Sequence, residues 1–410
     1  MKKIISSMLA TLTIVAVLAS CGNDTQKNIS SGDSKPESAG TSTAAESPKN
    51  TEVFKIGAIG PLTGPAAAYG TSVKQGAEIA IKEINDAGGV TVGDKTYTFE
   101  LIFEDDEATE DKALQAYSAV MDQGANVLMG AVTSGSSIAI ADSTYADGIL
   151  QLTPSASAEA AIKNDNAFRI CFSDPEQGVA MADYMVNTLN KKKVAVIYNN
   201  SSDYSTGLRE AFEAEVTKLG GTVVASEAFA DGDMDFSSQL TKIKGTDAEI
   251  IYVPAYYQEA TYITMATTKN PPYPPRKAAE KGLTLPFIGS DGWDGVLGTV
   301  TDKETVEGAI FSAPFSAYVD EPHIKSFVEA YDAAYKAVPD QFAADAYDCI
   351  YAFKAVMEKA GSIESEALIA SMTEINVHGL TGDDISFDKS GAAKKEVRFI
   401  KIENGIYIYA

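Results

Sequence analysis

Apolar side chains recur along most of the chain in two alternating patterns. Residues 53–58 form a short apolar run, and residues 97–103 alternate apolar with polar side chains, as β-strands do. Between them, apolar residues at positions 73–87 recur at steps of three and four, which indicates an amphipathic helix. The alternation of strand and helix continues to Leu152 and restarts after Asp174. Strands separated by helices predict parallel sheets with right-handed crossovers.

The restart of this alternation predicts two lobes. Two successive series of strands and helices favour two α/β lobes, each a parallel sheet flanked by helices, over one very wide sheet. The proline-rich residues 270–275 interrupt the pattern and predict a surface loop. Farther along, residues 324–337 and 342–360 have helical periodicity, and residues 385–409 are predicted to form paired strands. The expected fold class is therefore α/β.

The first fifty residues have a different pattern. Two lysines precede an apolar run over residues 4–18, which is shorter than the roughly 20 apolar residues that span a bilayer. Small residues then lead to Cys21, so residues 1–20 are predicted to be a secretory signal whose end is similar to a bacterial lipobox. Residues 21–51 are small and polar, which predicts a flexible tether behind a lipidated Cys21. An ordinary secreted protein with a chance cysteine is the alternative.

Composition limits the possible functions. The chain has 410 residues, of which 45% are hydrophobic and 22% charged, as is typical of a globular protein. Its net charge of −24 would be repelled by phosphate backbones, so a nucleic-acid partner is not expected. Two further cysteines, Cys171 and Cys349, are interpreted as small buried apolar residues. Whether they pair is left open, because sequence does not show their separation.

Hydroxyl residues follow two successive predicted strands in the first lobe. Thr133-Ser134-Gly135 comes after the strand at residues 126–131, and Ser155-Ala156-Ser157 comes after the strand at residues 149–152. In an open parallel sheet, ligands bind beyond the carboxyl ends of the strands. A helix that begins there also offers free N–H groups to an anion such as a carboxylate. Simple capping of the two helices by the serines is the alternative.

The chain lacks the usual motifs of enzyme active sites. The glycine spacing of residues 130–137 is that of a phosphate loop, but no lysine stands where such a loop needs one. The only histidines, His323 and His378, lie outside any recognisable motif, so a serine–histidine–aspartate triad and a zinc centre are not expected. The acidic residues 104–107 are interpreted as a solvated loop. These observations favour a binding protein, with no catalytic residue, cofactor or metal.

Several short motifs follow one another in a fixed order along residues 53–410. They are Phe54-Lys55-Ile56-Gly57-Ala58-Ile59-Gly60-Pro61-Leu62-Thr63-Gly64, Tyr69-Gly70, Ile84-Asn85 with Gly88-Gly89, Glu104-Asp105-Asp106, Thr153-Pro154-Ser155-Ala156-Ser157, Phe168-Arg169, Asp174 with Gln177-Gly178, and Gly289-Ser290-Asp291-Gly292. In this order they resemble the extracellular solute-binding proteins of the branched-chain amino-acid ABC importers. The resemblance implies the periplasmic-binding-protein type I fold, in which two α/β lobes joined by three crossing segments close on an amino acid.

The resemblance also implies which residues contact that amino acid. Its α-carboxylate would be bound by Ser134, Ser157 and the main chain at Ser155 and Ala156. Its α-ammonium group would be bound by Asp291, with Tyr204 beside it. The side-chain pocket would have as its walls Tyr69, Val132, Tyr256 and Phe342. A zwitterion needs donors at one end and a buried acid at the other, and aromatic walls suit an apolar side chain.

Lobe boundaries follow from the same resemblance. The three crossings are expected near Asp174, Pro314 and Gly379, so both lobes are discontinuous in sequence. Lobe 1 would contain residues 52–173 and 318–377, and lobe 2 would contain residues 174–317 and 378–410.

The expected function is that of an extracytoplasmic, lipid-anchored bacterial binding protein. It would be a monomer that delivers leucine, isoleucine or valine to an ABC permease and, through the permease, to its ATPase. Two alternatives stay open at this point. One is a sensory receptor with the same cleft, and the other is an importer protein for amides, urea-like compounds, aromatic acids or small peptides.

Overall fold

The structure is a computed structural model that describes residues 51–267 and 283–410. The expected signal, Cys21, the tether up to residue 50 and the loop at residues 270–275 lie outside the described residues. Within the described ranges, none of the helices combines the length and the apolarity that crossing a bilayer demands. The first strand begins at Thr51.

The first sheet contains six strands in the order β2-β3-β1-β4-β5-β6. All neighbours are parallel except β2 and β3, which are antiparallel. The strands are β1 (Thr51–Gly60), β2 (Val90–Val92), β3 (Lys95–Asp105), β4 (Val127–Gly130), β5 (Gln151–Thr153) and β6 (Ala167–Arg169). The helices of this part of the chain are α1 (Ala67–Asp86), α2 (Glu110–Asp122) and α3 (Ser134–Ala146).

The second sheet contains seven strands in the order β13-β12-β11-β10-β9-β7-β8. Its strands β7 to β11 are parallel, whereas β12 and β13 are antiparallel to their neighbours. The strands are β7 (Lys193–Asn199), β8 (Thr222–Phe229), β9 (Ile250–Val253), β10 (Phe287–Gly289), β11 (Ile310–Ser312), β12 (Phe399–Glu403) and β13 (Ile406–Tyr409). The predicted fold class, with two mostly parallel sheets flanked by helices, is confirmed.

Eight further helices accompany these strands in the described ranges. They are α4 (Asp174–Asp183), α5 (Asp203–Lys218), α6 (Ser237–Lys244), α7 (Tyr257–Ala266), α8 (Val296–Thr299), α9 (Pro322–Tyr335), α10 (Gln341–Ala360) and α11 (Ser365–Ser371). Capping residues in the sequence explain where two of these helices begin. Ser173 and Glu176 form a capping box at the start of α4, and Asp340 caps α10 by accepting from the Ala343 amide at 3.0 Å.

Helix α1 packs very closely on helix α10 at one glycine. A β-carbon at Gly76 would lie 2.0 Å from the main-chain oxygen of Ala343, a separation that no folded structure tolerates. Only glycine therefore allows the two helices this approach. The contact is important for function, because α1 begins near Tyr69 and α10 begins near Phe342.

The chain passes between the two sheets three times. The first passage follows β6 and ends at Asp174, and the second follows β11 near Pro314. The third passage lies between Ala393 and Phe399, later in the chain than Gly379. The Ala393 amide still donates to Arg169 of the first sheet at 3.1 Å, whereas β12 begins at Phe399 in the second.

Long-range polar contacts explain why the third passage comes late. The buried carboxylate of Asp348 in α10 accepts from the amides of Leu380 and Thr381 at 2.7 and 2.9 Å. Farther on, Lys395 forms a buried ion pair with Asp345 of α10 at 3.0 Å. The segment that was expected to open the C-terminal part of lobe 2 thus packs on the first sheet instead.

Two local predictions differ from the structure. The residues after Ser157, where a serine-capped helix was one reading, form only a single 3-10 turn at Glu159–Ile162, and residues 385–393 form isolated bridges rather than strands. Helix α4 continues into a π-helical turn at Tyr184–Thr188. Both described cysteines, Cys171 and Cys349, are buried and unpaired, as interpreted from the sequence, and burial raises the pKa of each thiol.

Candidate ligand-binding site

The carboxyl ends of strands from both sheets bring side chains to one cleft. This is the position at which open α/β sheets bind ligands. The side chains come from loops and helix starts, with Thr133 after β4, Ser155 after β5, Tyr204 after β7, Tyr256 after β9 and Asp291 after β10. Tyr69 and Phe342 reach the same place from the first turns of α1 and α10.

These side chains enclose a small cavity of about 10 Å³. Its lining consists of Tyr69, Val132, Thr133, Ser155, Tyr204, Tyr256, Asp291, Gly292 and Phe342. About 10–15 Å³ of such space holds a single water molecule, so an amino acid needs much more room. Binding there therefore requires the lining side chains to move apart.

Asp291 is the charged group of this cavity, and its carboxylate is oriented by hydrogen bonds. Oδ1 accepts from the Tyr204 hydroxyl at 2.6 Å and from the Gly292 amide at 2.9 Å. The Asp291 amide donates to Oε1 of Gln177 at 3.1 Å. Burial raises the pKa of Asp291 to about 6, although the bonds from Tyr204 and Gln177 act in the opposite direction.

The turn that carries Asp291 is locked from behind by a tryptophan. The indole Nε1 of the fully buried Trp293 donates to the main-chain oxygen of Val253 at 2.8 Å. Gly289 gives this ring its space, since a β-carbon there would lie 2.3 Å from Nε1. Gly292 is needed for a similar reason, because its β-carbon would lie 2.7 Å from the Tyr204 hydroxyl.

Tyr69 joins the two lobes directly. Its hydroxyl donates to the main-chain oxygen of Gly292 and accepts from the Tyr257 amide at 3.0 Å. Its ring lies 4.2 Å from the ring of Phe342 and 5.3 Å from that of Tyr256, measured between centroids. A residue of the first helix thus packs against the β9 and β10 ends of the second sheet.

The start of α10 makes the second polar link across the cleft. Gln341 donates from Nε2 to the main-chain oxygen of Asp291 at 2.7 Å, and from its amide to Oδ2 of Asp294 at 3.0 Å. Burial raises the pKa of Asp294, and the nearby Asp340 carboxylate raises it further. These bonds attach the turn carrying Asp291 to lobe 1.

The expected carboxylate-binding residues differ in their surroundings. Ser134 Oγ accepts from the Ala158 amide at 3.2 Å, Ser155 Oγ donates to the main-chain oxygen of Val132 at 2.7 Å, and the Ala156 amide donates to Thr153 at 3.0 Å. The Ser134, Ala156 and Ser157 side chains do not line the cavity.

Thr133 is the hydroxyl that the sequence analysis passed over. It lines the cavity, and its buried Oγ1 has no hydrogen-bond partner among the described residues. Burial raises the pKa of the nearby Tyr256 hydroxyl, and the main chain at Ser134 acts in the opposite direction. The N-terminus of α3 therefore faces the cavity with one unpaired hydroxyl, beside a tyrosine that follows β9.

Behind the cavity lies a second buried acid, Asp174, which the sequence analysis quoted only as part of a motif. Burial raises its pKa, and its amide donates to the main-chain oxygen of Ser157 at 3.0 Å. The guanidinium of Arg169 donates from Nη1 to the main-chain oxygens of Ser157 and Ala158 at 2.7 and 3.0 Å. Ser157 thus faces this buried charge group at the first passage.

A larger cavity of about 660 Å³ adjoins the small one. Thr133, Tyr204 and Tyr256 line both. Its rim is acidic, with Glu107, Glu110, Asp111, Asp203, Asp231 and Glu259. Burial raises the pKa of Glu259 to about 7. The larger cavity therefore lies directly beside the one that Asp291 lines.

Comparison with known proteins agrees with this architecture. A family model described as periplasmic binding protein matches residues 53–405. The Leu/Ile/Val-binding protein homolog 3 of Brucella melitensis is 33% identical over 318 residues, which cover 77% of this chain and 81% of the relative. The Leu/Ile/Val-binding protein BraC3 of Rhizobium johnstonii is 32% identical over 319 residues, covering 77% and 82%.

Two solved structures share the fold at 29% identity and a TM-score of 0.77. One is the leucine-binding protein LivK of Thermotoga maritima, with 87% of this chain and 97% of that chain covered. The other is the branched-chain amino-acid transporter substrate-binding protein LivJ of Streptococcus pneumoniae in complex with isoleucine, with 88% and 100% covered. All four relatives are binding proteins, which confirms the expectation of a binding protein rather than an enzyme. The chain belongs to the periplasmic binding protein family and, within it, to the type I proteins related to the Leu/Ile/Val-binding proteins.

Proposed function

We propose that this protein captures a branched-chain amino acid between its lobes and delivers it to an ABC importer. The observation that carries the proposal is the pairing of opposite chemistries across one small cavity. On one side lies the buried Asp291 carboxylate with Tyr204, and on the other lie the unpaired Thr133 hydroxyl and the start of α3. An amino acid carries the complementary pair, an α-ammonium group for the acid and an α-carboxylate for the donors.

The walls favour an apolar side chain. Tyr69, Tyr256 and Phe342 pack against one another around the cavity, and Val132 completes the lining. Aromatic and aliphatic surfaces exclude water and offer no partner to a polar group. The two Leu/Ile/Val-binding relatives and the isoleucine complex of the pneumococcal protein support the branched-chain class.

Ligand entry would exchange one set of contacts for another. The Tyr256 hydroxyl lies beside the Ser134 main-chain N–H, which is the kind of donor that a ligand carboxylate needs. We propose that the carboxylate displaces this hydroxyl and also accepts from Thr133. Ser134 then acts through its main chain, while its side chain holds the Ala158 amide.

We also propose that Cys21 carries a lipid and that residues 22–50 act as the tether. A flexible tether keeps a binding protein at high effective concentration beside a membrane permease. The composition of this segment supports the proposal. Delivery by a monomer to a permease and its ATPase belongs to the same proposal.

Isothermal titration calorimetry against the twenty standard amino acids tests the proposed ligand class. We expect leucine, isoleucine or valine to bind at one equivalent, and acidic or basic amino acids not to bind. Binding of none of the twenty would overturn the amino-acid proposal. Binding of an amide, an aromatic acid or a small peptide in a second panel would then identify the class.

The affinity should also depend on pH through Asp291. Its raised pKa of about 6 means that the free protein carries a neutral carboxyl in acid, whereas the ammonium group needs the ionised form. Affinity should therefore be constant from about pH 8 to pH 7 and fall up to tenfold per unit below about pH 6.

Calorimetry in two buffers of different ionisation enthalpy checks this mechanism. Near pH 6 the binding reaction should release a proton from Asp291, so the observed enthalpy should differ between the buffers. An affinity that stays constant down to about pH 5 would contradict ionisation of Asp291 on binding.

A further inference from the structure

The two histidines of the chain lie side by side, although they are far apart in sequence. His323 is in the first turn of α9, and His378 is in the segment between α11 and β12. Their ring centroids are 4.9 Å apart. Because the whole chain contains only two histidines, their meeting on one surface is a specific feature of this fold.

Carboxylates complete the group. Asp383, His323 and His378 each place one possible metal-ligand atom within 4.8 Å of those of the other two. Oδ1 of Asp383 lies 3.7 Å from Nδ1 of His378, and Oε2 of Glu321 lies 3.7 Å from Nε2 of His323. Two imidazoles and the Asp383 carboxylate thus lie together on the surface, with Glu321 beside His323.

The backbones of these residues are held in place. His378 and Asp383 flank a tight turn in which the Val377 amide donates to Ile385 and the Gly379 amide donates to Gly382, both at 2.9 Å. Beneath the turn, Leu380 belongs to the same buried apolar cluster as Ile324, the neighbour of His323. The turn and the apolar cluster therefore fix the backbone positions from which these side chains extend.

The side chains can still adjust to an ion. Zinc binds nitrogen and carboxylate oxygen at about 2.0–2.2 Å in a tetrahedral arrangement, which puts neighbouring ligand atoms roughly 3–3.5 Å apart. The candidate ligand atoms of the three residues lie within 4.8 Å of one another, so they must approach by about 1 Å to bind one ion. The Asp383 and His378 side chains are 70% and 63% exposed and have room to turn. Nδ1 of His378 also lies 3.1 Å from the main-chain oxygen of Asp383, which would leave Nε2 for the ion.

The charge around the group is mixed, because the cation Arg398 lies close while the chain as a whole is strongly acidic. Glu321 and Asp383 are near the guanidinium of Arg398, whose pKa is raised mainly by its hydrogen bond to Tyr409 and more weakly by these two carboxylates. Arg398 lies over the Tyr409 ring, 5.6 Å from its centroid, so it does not occupy the centre of the group. The strongly acidic chain attracts cations in addition.

We propose that His323, His378 and Asp383 form a binding site for a transition-metal dication of the zinc and copper class, with Glu321 as a fourth ligand. Imidazole selects these ions over calcium and magnesium, which prefer oxygen. The site would connect two segments. One is the start of α9, just after the second passage between the sheets, and the other is the turn at residues 377–385, which precedes the third passage. Sequence reasoning excluded a metal because its ligands are not clustered along the chain.

Titration of the tag-free protein with zinc chloride tests this proposal. In a long-range ¹H–¹⁵N spectrum only two imidazoles contribute, so both ligands are observed separately. We expect both to shift together and to saturate at one zinc per chain, while calcium shifts neither. His323→Ala and His378→Ala should each weaken zinc binding at least about tenfold.

Asp383→Asn and Glu366→Gln make a matched pair for the carboxylate. Each removes one exposed negative charge, but only the first belongs to the proposed site, so only the first should weaken zinc binding. Thermal unfolding of each variant verifies that it is folded. Equal zinc binding by the double variant His323→Ala/His378→Ala, a response of only one imidazole, or many weak sites without any imidazole shift would each overturn the proposal.

Discussion

Replacing Asp291 with asparagine should weaken amino-acid binding by about two to three powers of ten. Asparagine keeps the shape of the side chain, but its amide does not provide a negative charge for the α-ammonium group. Removing one partner of a buried, hydrogen-bonded charge pair costs about 3–4 kcal/mol, which corresponds to this loss of affinity. Asp291 is buried and its Oδ1 already accepts from Tyr204. Neither solvent nor another acid therefore replaces the lost negative charge directly.

Calorimetry with the ligand found in the amino-acid panel measures this effect. Asp111→Asn is the matched control, because it removes one negative charge from the rim of the larger cavity without touching the small one. It should change affinity less than about threefold, through screened long-range charge alone. A similar loss in both variants would show that the overall field, rather than the carboxylate at Asp291, binds the ligand.

The same substitution should not destabilise the free protein. Burial raises the pKa of Asp291 to about 6, so near pH 7 the ionised side chain is less stable in the fold than in the unfolded chain. A neutral asparagine removes that cost. The thermal midpoint without ligand should therefore stay at or above that of the natural protein, and a large decrease would mean that Asp291 has a structural role.

Gly76→Ala should have the largest effect on stability. The added β-carbon would lie 2.0 Å from the Ala343 oxygen, so α1 and α10 must separate by more than 1 Å. Overpacking of this kind costs about 3 kcal/mol in the free energy of unfolding, despite the better helix propensity of alanine. Affinity should decrease as well, since the two helices carry Tyr69 and Phe342.

Denaturant unfolding of Gly76→Ala and Gly298→Ala separates packing from propensity. Gly298 lies in α8, and a β-carbon there would meet nothing within 4 Å. Its replacement should change stability by less than about 1 kcal/mol, in the stabilising direction. If the two variants unfold at the same denaturant concentration, the close packing of α1 on α10 does not limit stability.

Local patterns predict the sheets well, because strand and helix periodicities are properties of short segments. The strand-end rule likewise led to Ser155, which lines the small cavity, whereas Tyr204 and Asp291, which also line it, came from the family resemblance. The same resemblance favoured Ser134 over Thr133. Thr133 is the N-cap of α3 and Ser134 its first residue, and which of the two side chains faces the cavity depends on how α3 lies in the fold.

Features that depend on distant contacts were not predictable from one sequence. The third passage is late because Asp348 binds Leu380 and Thr381 from another element. The meeting of His323 and His378 depends on the same packing of residues 377–385 against α9 and α10. Motif searches along the chain do not detect ligands that separate elements bring together.

The strand order of the second sheet has a consequence for synthesis. Strand β11 pairs with β12, which follows it in the chain only after α9, α10 and α11. Until β12 has emerged from the ribosome, β11 has an open edge that can pair with another chain. A newly made molecule must therefore wait for β12 before its second sheet is complete, and during that interval it is most open to aggregation and to chaperones.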